Sequence, residues 1–417
     1  MSRITGMSAR ERAELWERLR PGRPGDDAEL TGRVIWSILA EPGDGVVGRL
    51  VGDLGAATAL ELLYRPGPFA SPTELRSAAT AAQHAVHAAY RERGIEPIAG
   101  VRAGFLRWQP RMDQKLIDSV LAMAAASGAE LLVPGDPQWS RGLDDLGDHA
   151  PLVLWALGDV QLLGDFESSV AMVGTRAATA YGNHVATELA AGLAGRDWTV
   201  VSGGAYGVDA SSHRAALAAK GRTIAIMAGG LNSFYPIGNS ELIARVARDG
   251  LVLAEVPFGT PPTPFRFLSR NRLIAAVASA VVVVEAGSRS GSINTANHAS
   301  DLGRPIGAVP GPITSPSSVG CHELVRAERA ELVASVDDVV RLVRGNAPEP
   351  EPLADPEDPR YGRVLTALHG RAARSITDVA RKSGIGEAEV ASLLGVLLLD
   401  GAVRKSEKGW VSVPRKG

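Results

Sequence analysis

A chain of 417 residues is too long for one ordinary domain and predicts two or three. Apolar residues make up 45% and charged residues 22%, the balance of a soluble globular protein, and a net charge of −2 requires any nucleic-acid partner to be held by a local basic patch. The lone cysteine, Cys321, excludes an internal disulfide, and no apolar window approaches the roughly 20 residues of a membrane helix, so a cytoplasmic protein without membrane insertion is expected.

Residues 1–70 read as short helices: "TGRVIWSILAEPG" and "VVGRLVGDLGAATALELLYRPG" carry apolar residues three and four apart and end at Pro/Gly punctuation. An Ala-rich helical connection is expected over 71–130. From Leu131 the texture changes. Short apolar runs ("LLVPG", "SSVAMVG", "WTVVSGG", "RTIAIMAGG", "LVLAEVP", "SAVVVVEAG", "RPIGAVPG") recur every 25–30 residues, most of them closed by glycine and followed by helical spacing. Continuous apolar runs are strands buried on both faces, and helices between them are right-handed crossovers. The fold class is therefore α/β, with six or seven parallel strands in a doubly wound, Rossmann-like sheet over 131–345.

"NAPEPEPLADPEDP" then alternates proline with acid and has nothing to bury, so 346–359 is a stiff linker. The order helix, helix, helix, β-ribbon predicts a winged helix over 360–417, with the hairpin turn at Lys408-Gly409.

In an open parallel sheet, ligands bind beyond the carboxyl ends of the strands. Three strand ends here are rich in donors: "VGTRAATAYG" with Thr175 and Arg176, "SGGAYGVDASSH" with Ser202, Gly203 and Gly204, and "EAGSRSGSINTA" with Ser290, Gly291 and Ser292 opening a helix. Glycine lets backbone N–H groups approach a ligand, and a helix N-terminus adds positive potential. Any one such loop serves equally well as a tight turn; three of one composition at one sheet edge point to an anion, phosphate above all. Arg266, Arg270, Asn271, Arg272 and Arg289 lie nearby and can line a groove for several phosphates. Phe234, Tyr235, Phe258, Phe265 and Phe267 are equally suited to stacking bases or to filling the core. Asp209 reads as a helix cap and His213 as packed or surface.

Enzymatic signatures do not emerge. There is no G-x-x-x-x-G-K-[ST], no G-x-G-x-x-G after the first strand, no H-E-x-x-H among eight histidines, and "GSRSG" centres on arginine, so no catalytic residue, metal or cofactor is expected.

The ordered series "VGTRAATAYG", "SGGAYGVDASSH", "TIAIMAGGLNSFYPIGN", "AEVPFG", "RNRLIAAVASAVVVVEAGSRSGS", "TANHASDLGR" and "AVPGPI" resembles the DNA-processing protein A (DprA/Smf) family of bacterial recombination mediators. The resemblance implies a SAM-like helical front over 1–70, a Rossmann-like core that binds single-stranded DNA, and a winged-helix tail. It also implies a homodimer that loads the recombinase RecA and displaces single-strand-binding protein in natural transformation or repair, with no chemical reaction. The implied pocket comprises Arg176, Ser202, Gly203, Arg270, Asn271, Arg272, Ser290, Gly291 and Ser292; Tyr206 replaces a usual arginine.

The tail carries eleven cations against five acids over 360–417, yet its expected recognition helix, "GEAEVASLLGVLLLDG", has none. Contact with a duplex backbone or with a protein suits it better than sequence reading. Two rival functions remain: a phosphoribohydrolase-like nucleotide enzyme, whose P-G-G-x-G-T-x-x-E motif is missing, and a winged-helix transcription factor with a ligand-sensing core.

Overall fold

The computed structural model describes residues 6–23, 25–65, 69–345, 359–368, 373–399, 401–406 and 409–413. Two units form, Met1–Gly345 and Asn346–Gly417. The linker expected at 346–359 lies outside the described residues, except for Pro359 at a helix start.

Seven helices come first: α1 (Ala9–Leu19), α2 (Asp27–Leu39), α3 (Gly45–Leu54), α4 (Ala56–Leu63), α5 (Pro72–Glu92), α6 (Val101–Trp108) and α7 (Gln114–Ala126). Ser8, Asp26, Asp44, Ser71 and Asp113 each accept a backbone N–H at a helix start, which satisfies an otherwise orphaned donor. Trp36 and Trp108 meet edge to face at 5.1 Å in the centre of the helical layer. That core is continuous with Trp155, Val252 and Ala254 on the sheet, so the helices do not fold around a core of their own. Buried Arg20 locks α1 down with two 2.7 Å bonds to the Asp136 carboxylate.

The sheet and its helices follow as β1 (Glu130–Leu132), β2 (Leu154–Gly158), β3 (Ser169–Val173), α8 (Ala180–Ala194), β4 (Thr199–Ser202), α9 (Val208–Ala218), β5 (Thr223–Met227), α10 (Ser240–Asp249), β6 (Leu251–Ala254), α11 (Pro264–Ala276), β7 (Ala280–Val283), α12 (Gly291–Asp301), β8 (Ile306–Ala308), α13 (Val319–Arg326), β9 (Glu331–Leu332) and α14 (Val336–Arg344). The strand order is β1-β2-β6-β5-β4-β3-β7-β8-β9. From β6 to β9 every pairing is parallel. Val170 and Met172 of β3 face α8, α9 and α14, whereas Ala171 and Val173 face α11, α12 and α13, which is the doubly wound arrangement.

One expected strand differs. "LLVPG" forms β1 at the sheet edge and runs antiparallel to β2, a strand the sequence pattern missed, and β2 in turn is antiparallel to β6. A parallel pair needs a helical crossover, and between β1 and β2 the chain makes only 3₁₀ turns at Arg141–His149.

The second unit comprises α15 (Pro359–Ala367), α16 (Ile376–Ser383), α17 (Glu387–Leu399) and the hairpin β10 (Val403–Ser406) and β11 (Gly409–Ser412). It has its own core of Val364, Val379, Leu394, Val403 and Trp410. Three leucines of α17 fill this core: Leu393, Leu394 and Leu397 are buried. The expected turn residue Lys408 lies outside the described residues. Among the described residues no helix is long and apolar enough to cross a membrane.

His213 of α9 is wholly buried. Its Nδ1–H donates to Thr223 Oγ1 at 2.8 Å, because that hydroxyl already donates to the Val200 carbonyl. Burial, with a smaller push from Arg270, drives its pKa down to about 3. The unfolded chain binds this proton near pH 6.5 and the folded chain does not, so below pH 6.5 protonation favours unfolding by about 1.4 kcal/mol per pH unit. Between pH 7 and 5, wild type should lose about 2 kcal/mol more stability than His213→Gln in urea titrations; parallel losses would show that His213 is not held neutral.

Candidate nucleic-acid interface

The strands step outward from β3 to β6, and the chain then returns along α11 to β7 on the other side of β3. The order therefore reverses between β3 and β7, which leaves a crevice beyond their carboxyl ends. A cleft of about 280 Å3 opens there, lined by Arg176, Phe267, Arg270, Asn271, Ser290, Gly291 and Ser292.

Arg270 forms its floor. Thr263 caps α11 and Pro264 starts it, which sets the helix phase so that Arg270 points under the strand ends. Its Nη1 donates to the Gly203 carbonyl at 2.7 Å and also to the Ile226 carbonyl, tying the ends of β4 and β5 together. A Cβ on Gly203 would lie 2.2 Å from that nitrogen, so glycine is needed for the approach. Burial pulls the Arg270 pKa down to about 10 against the opposing pull of Asp209, so the group remains a cation at neutral pH. Among the described residues its Nε has no partner.

Asp209 is the counterweight. It does not cap α9; it reaches back to accept the N–H groups of Gly203 and Ala205, each at 3.2 Å. Burial raises its pKa, with Arg270 and these N–H groups working the other way. Two backbone donors of the "SGG" loop are thus already used within the protein. Gly207, at φ 73°, brings this loop against the "GTR" loop: a Cβ there would lie 2.3 Å from the Thr175 carbonyl oxygen.

Glu285 secures the other wall. Buried just past β7, it accepts from Thr179 N at 2.9 Å, Thr179 Oγ1 at 2.7 Å and Ser317 Oγ at 3.2 Å, while its own carbonyl accepts from Thr175 N. Asn271 donates to the Gly291 carbonyl and to Asn294 Oδ1, both at 3.2 Å, and fixes the start of α12. Ser290 caps that helix, its hydroxyl 2.7 Å from that of Ser292.

An aromatic ledge edges the cleft. The Arg176 guanidinium lies 4.7 Å from the centre of the Phe267 ring, which contacts Tyr235 at 5.7 Å. Tyr206 is also exposed and accepts from Gly238 N at 3.3 Å.

The expected residues therefore separate. Arg176, Arg270, Asn271, Ser290, Gly291 and Ser292 come together in the cleft. Thr175 supports the loop through its backbone, and its Oγ1 accepts from Ala177 N. Ser202 is buried and donates to the Met172 carbonyl at 2.7 Å, and Gly203 and Gly204 lie buried behind the lining. Arg272, two positions beyond Arg270 on the helix, faces away and pairs with Glu255 at 2.6 Å. Arg266 pairs with Glu41 at 2.8 Å, while Arg289 is exposed on the loop before α12. Phe258 packs in the core against Trp155, and Phe234 is partly buried against the same core.

Sequence reasoning missed Glu285 and the loop-organising role of Asp209. A carboxylate directly after "AVVVV" was the available signal, since so buried a charge demands partners. Burial pushes the Cys321 thiol up to about 11, so it stays protonated.

In the second unit, Arg381 pairs with Asp378 at 2.8 Å and Arg360 with Glu389 at 2.6 Å. Arg404 and Lys405 are exposed on β10.

Fold and cleft define a Rossmann-like α/β protein with an arginine-bearing crevice beyond its strand ends and a winged-helix unit. The family model of DNA recombination-mediator protein A matches residues 130–344, and that of the DprA winged helix domain matches 348–407. The chain is 46% identical over 306 residues to a putative DNA processing protein DprA of Mycobacterium tuberculosis, covering 70% of this chain and 78% of that one. It is 34% identical over 239 residues to the DNA processing protein DprA of Bacillus subtilis, covering 57% and 80%. The X-ray structure of DprA from Streptococcus pneumoniae aligns with a TM-score of 0.56 at 29% identity, over 75% of this chain and 96% of that one. The chain belongs to the DNA recombination-mediator protein A family, a family of DNA-processing proteins.

Removing Asp209 leaves two loop N–H groups unpaired and Arg270 without its nearest opposing charge. Asp209→Ala should destabilise the fold by about 3–5 kcal/mol, with Asp209→Asn losing less. Urea midpoints check this; an unchanged midpoint for Asp209→Ala would refute it.

Proposed function

We propose that the cleft binds single-stranded DNA, and that the protein uses the bound strand to load RecA in recombination. The carrying observation is the Arg176–Phe267–Tyr235 ledge above a floor of Arg270 and the α12 N-terminus. Cation and helix start suit a phosphate, and the rings suit an unstacked base, the combination with which proteins grip single strands without reading sequence. Membership of a recombination-mediator family supports the same reading. With it we propose a homodimer through the α/β unit, RecA and single-strand-binding protein as partners, a cytoplasmic place of action and no catalysed reaction.

For the winged helix, duplex backbone or protein contact is proposed. The N-terminal turn of α17 carries Glu387 and Glu389, which repel phosphate, and exposed cations among the described residues lie on α15, α16 and β10.

Among the described residues Arg176 ties no strand ends together as Arg270 does, so its removal tests the site without the folding penalty attached to Arg270. Arg176→Ala should weaken binding of a labelled dT oligonucleotide by about 1–3 kcal/mol in fluorescence anisotropy. It should also make the salt dependence shallower by about 0.7 in log–log slope, one phosphate contact. Wild-type affinity in a folded variant, or salt-independent binding by the wild type, would place the strand elsewhere. Preference for duplex would transfer the binding to the winged helix.

A further inference from the structure

A second and larger cleft, of about 560 Å3, lies across α11 from the first. Leu268 lines both, so the two meet over a single side chain. The same two helices build their walls. α11 presents Arg270 and Asn271 to the first cleft and Phe265, Ser269 and Arg272 to the second; α12 presents Ser292 and Thr295 to the first and Asn294 and His298 to the second. The Asn271–Asn294 hydrogen bond of 3.2 Å passes from one to the other.

The chemistry changes across that ridge. The first cleft holds two arginines and a helix start, and its one lining carboxylate, Asp209, opposes Arg270 and leaves Arg176 to a ligand. In the second, charges cancel: Arg272 is paired with Glu255 beneath the wall, and Asp145 with Arg304. Asp301 adds a carboxylate rather than a cation. Burial lowers the His298 pKa, with Arg272 adding to the shift and Asp301 opposing it, which favours the uncharged ring. Asn294 spends its Oδ1 on Asn271, which leaves its amide N–H groups as donors. Phe265 stands 56% exposed and Leu268 49%, on a helix whose residues from Arg270 to Ala276 are buried. A cleft with an exposed ring, neutral donors and no unopposed arginine does not suit a phosphate. It suits an uncharged heteroaromatic ring.

We propose that this second cleft is a base subsite: it takes a base of the strand beyond the nucleotides that occupy the first cleft, stacked on Phe265 with its polar edge toward Asn294 and His298. The strand then crosses α11 over Leu268. The assignment rests on single-strand binding in the first cleft. One strand fills both, because the two clefts share Leu268 and only the first is built for phosphate.

The test is anisotropy on the full chain with labelled dT oligonucleotides of about four and about twelve nucleotides across a salt series, since short strands fill one subsite and longer ones reach both. Phe265→Ala should weaken the longer strand about fivefold or more, leave the short strand unchanged and leave the salt slope unchanged. Phe265→Trp should retain wild-type affinity, and the longer strand alone should quench the emission of the added indole. Wild-type binding of both lengths by Phe265→Ala, without quenching in Phe265→Trp, overturns the subsite. Equal loss at both lengths overturns it too, because Phe265 then acts through the first cleft. A changed salt slope overturns its assignment to a base. If the wild type binds neither oligonucleotide, single-strand binding itself fails and the subsite goes with it, whereas normal binding with a silent Phe265 removes the subsite alone.

Discussion

The interface depends on a guanidinium buried beneath a parallel sheet. Arg270 spans the carbonyls at the ends of β4 and β5 from a helix that arrives from β6, and so binds the crossover to the strands it passes. A buried cation is tolerable only when its hydrogens find acceptors and its charge finds an opposite. The strand-end carbonyls supply the first, and Asp209 the second. The same carboxylate then organises the "SGG" loop, and Gly207 brings that loop against Thr175. One charge balance thus shapes two of the three walls.

The third wall follows similar logic with the sign inverted. Glu285 is buried at the end of the most apolar strand and satisfied by Thr179 and Ser317, so a carboxylate holds together loops whose exposed side chains are cationic or neutral. Buried acids hold the frame while Arg176 and Arg289 remain outside it. Because each wall is pinned by its own hydrogen bonds, the cleft is preformed, and the proposed strand would not have to order its loops on binding.

The helical front contributes from behind. Its apolar residues cover the sheet face around Trp155 and Val252, and Glu41 from this region engages Arg266 at the start of α11. That ion pair removes one arginine from any DNA path and sets the start of the helix that carries the interface. The winged-helix unit has its own core, to which Leu393, Leu394 and Leu397 of α17 contribute.

Much of the architecture was legible in the chain itself. Apolar runs closed by glycine marked the parallel strands, Pro/Gly punctuation marked the ends of the front helices, and the ordered glycine, serine and arginine motifs marked the sheet edge that carries the cleft. These signals are local, since each depends on residues within a few positions of one another. Three features were not legible for the same reason. The direction of β1 depends on a partner more than twenty residues away and on the want of a helix between them. The parting of Arg270 from Arg272 depends on helix phase, which sends neighbours in "RNR" to opposite sides and leaves one in the cleft and one paired with Glu255. The use of the "SGG" donors by Asp209 depends on how closely a loop folds back on its helix. Sequence determined which groups are present and which elements carry them. Tertiary structure decided which charges are spent inside the protein and which face a ligand, because a charge is cancelled by its neighbours in space.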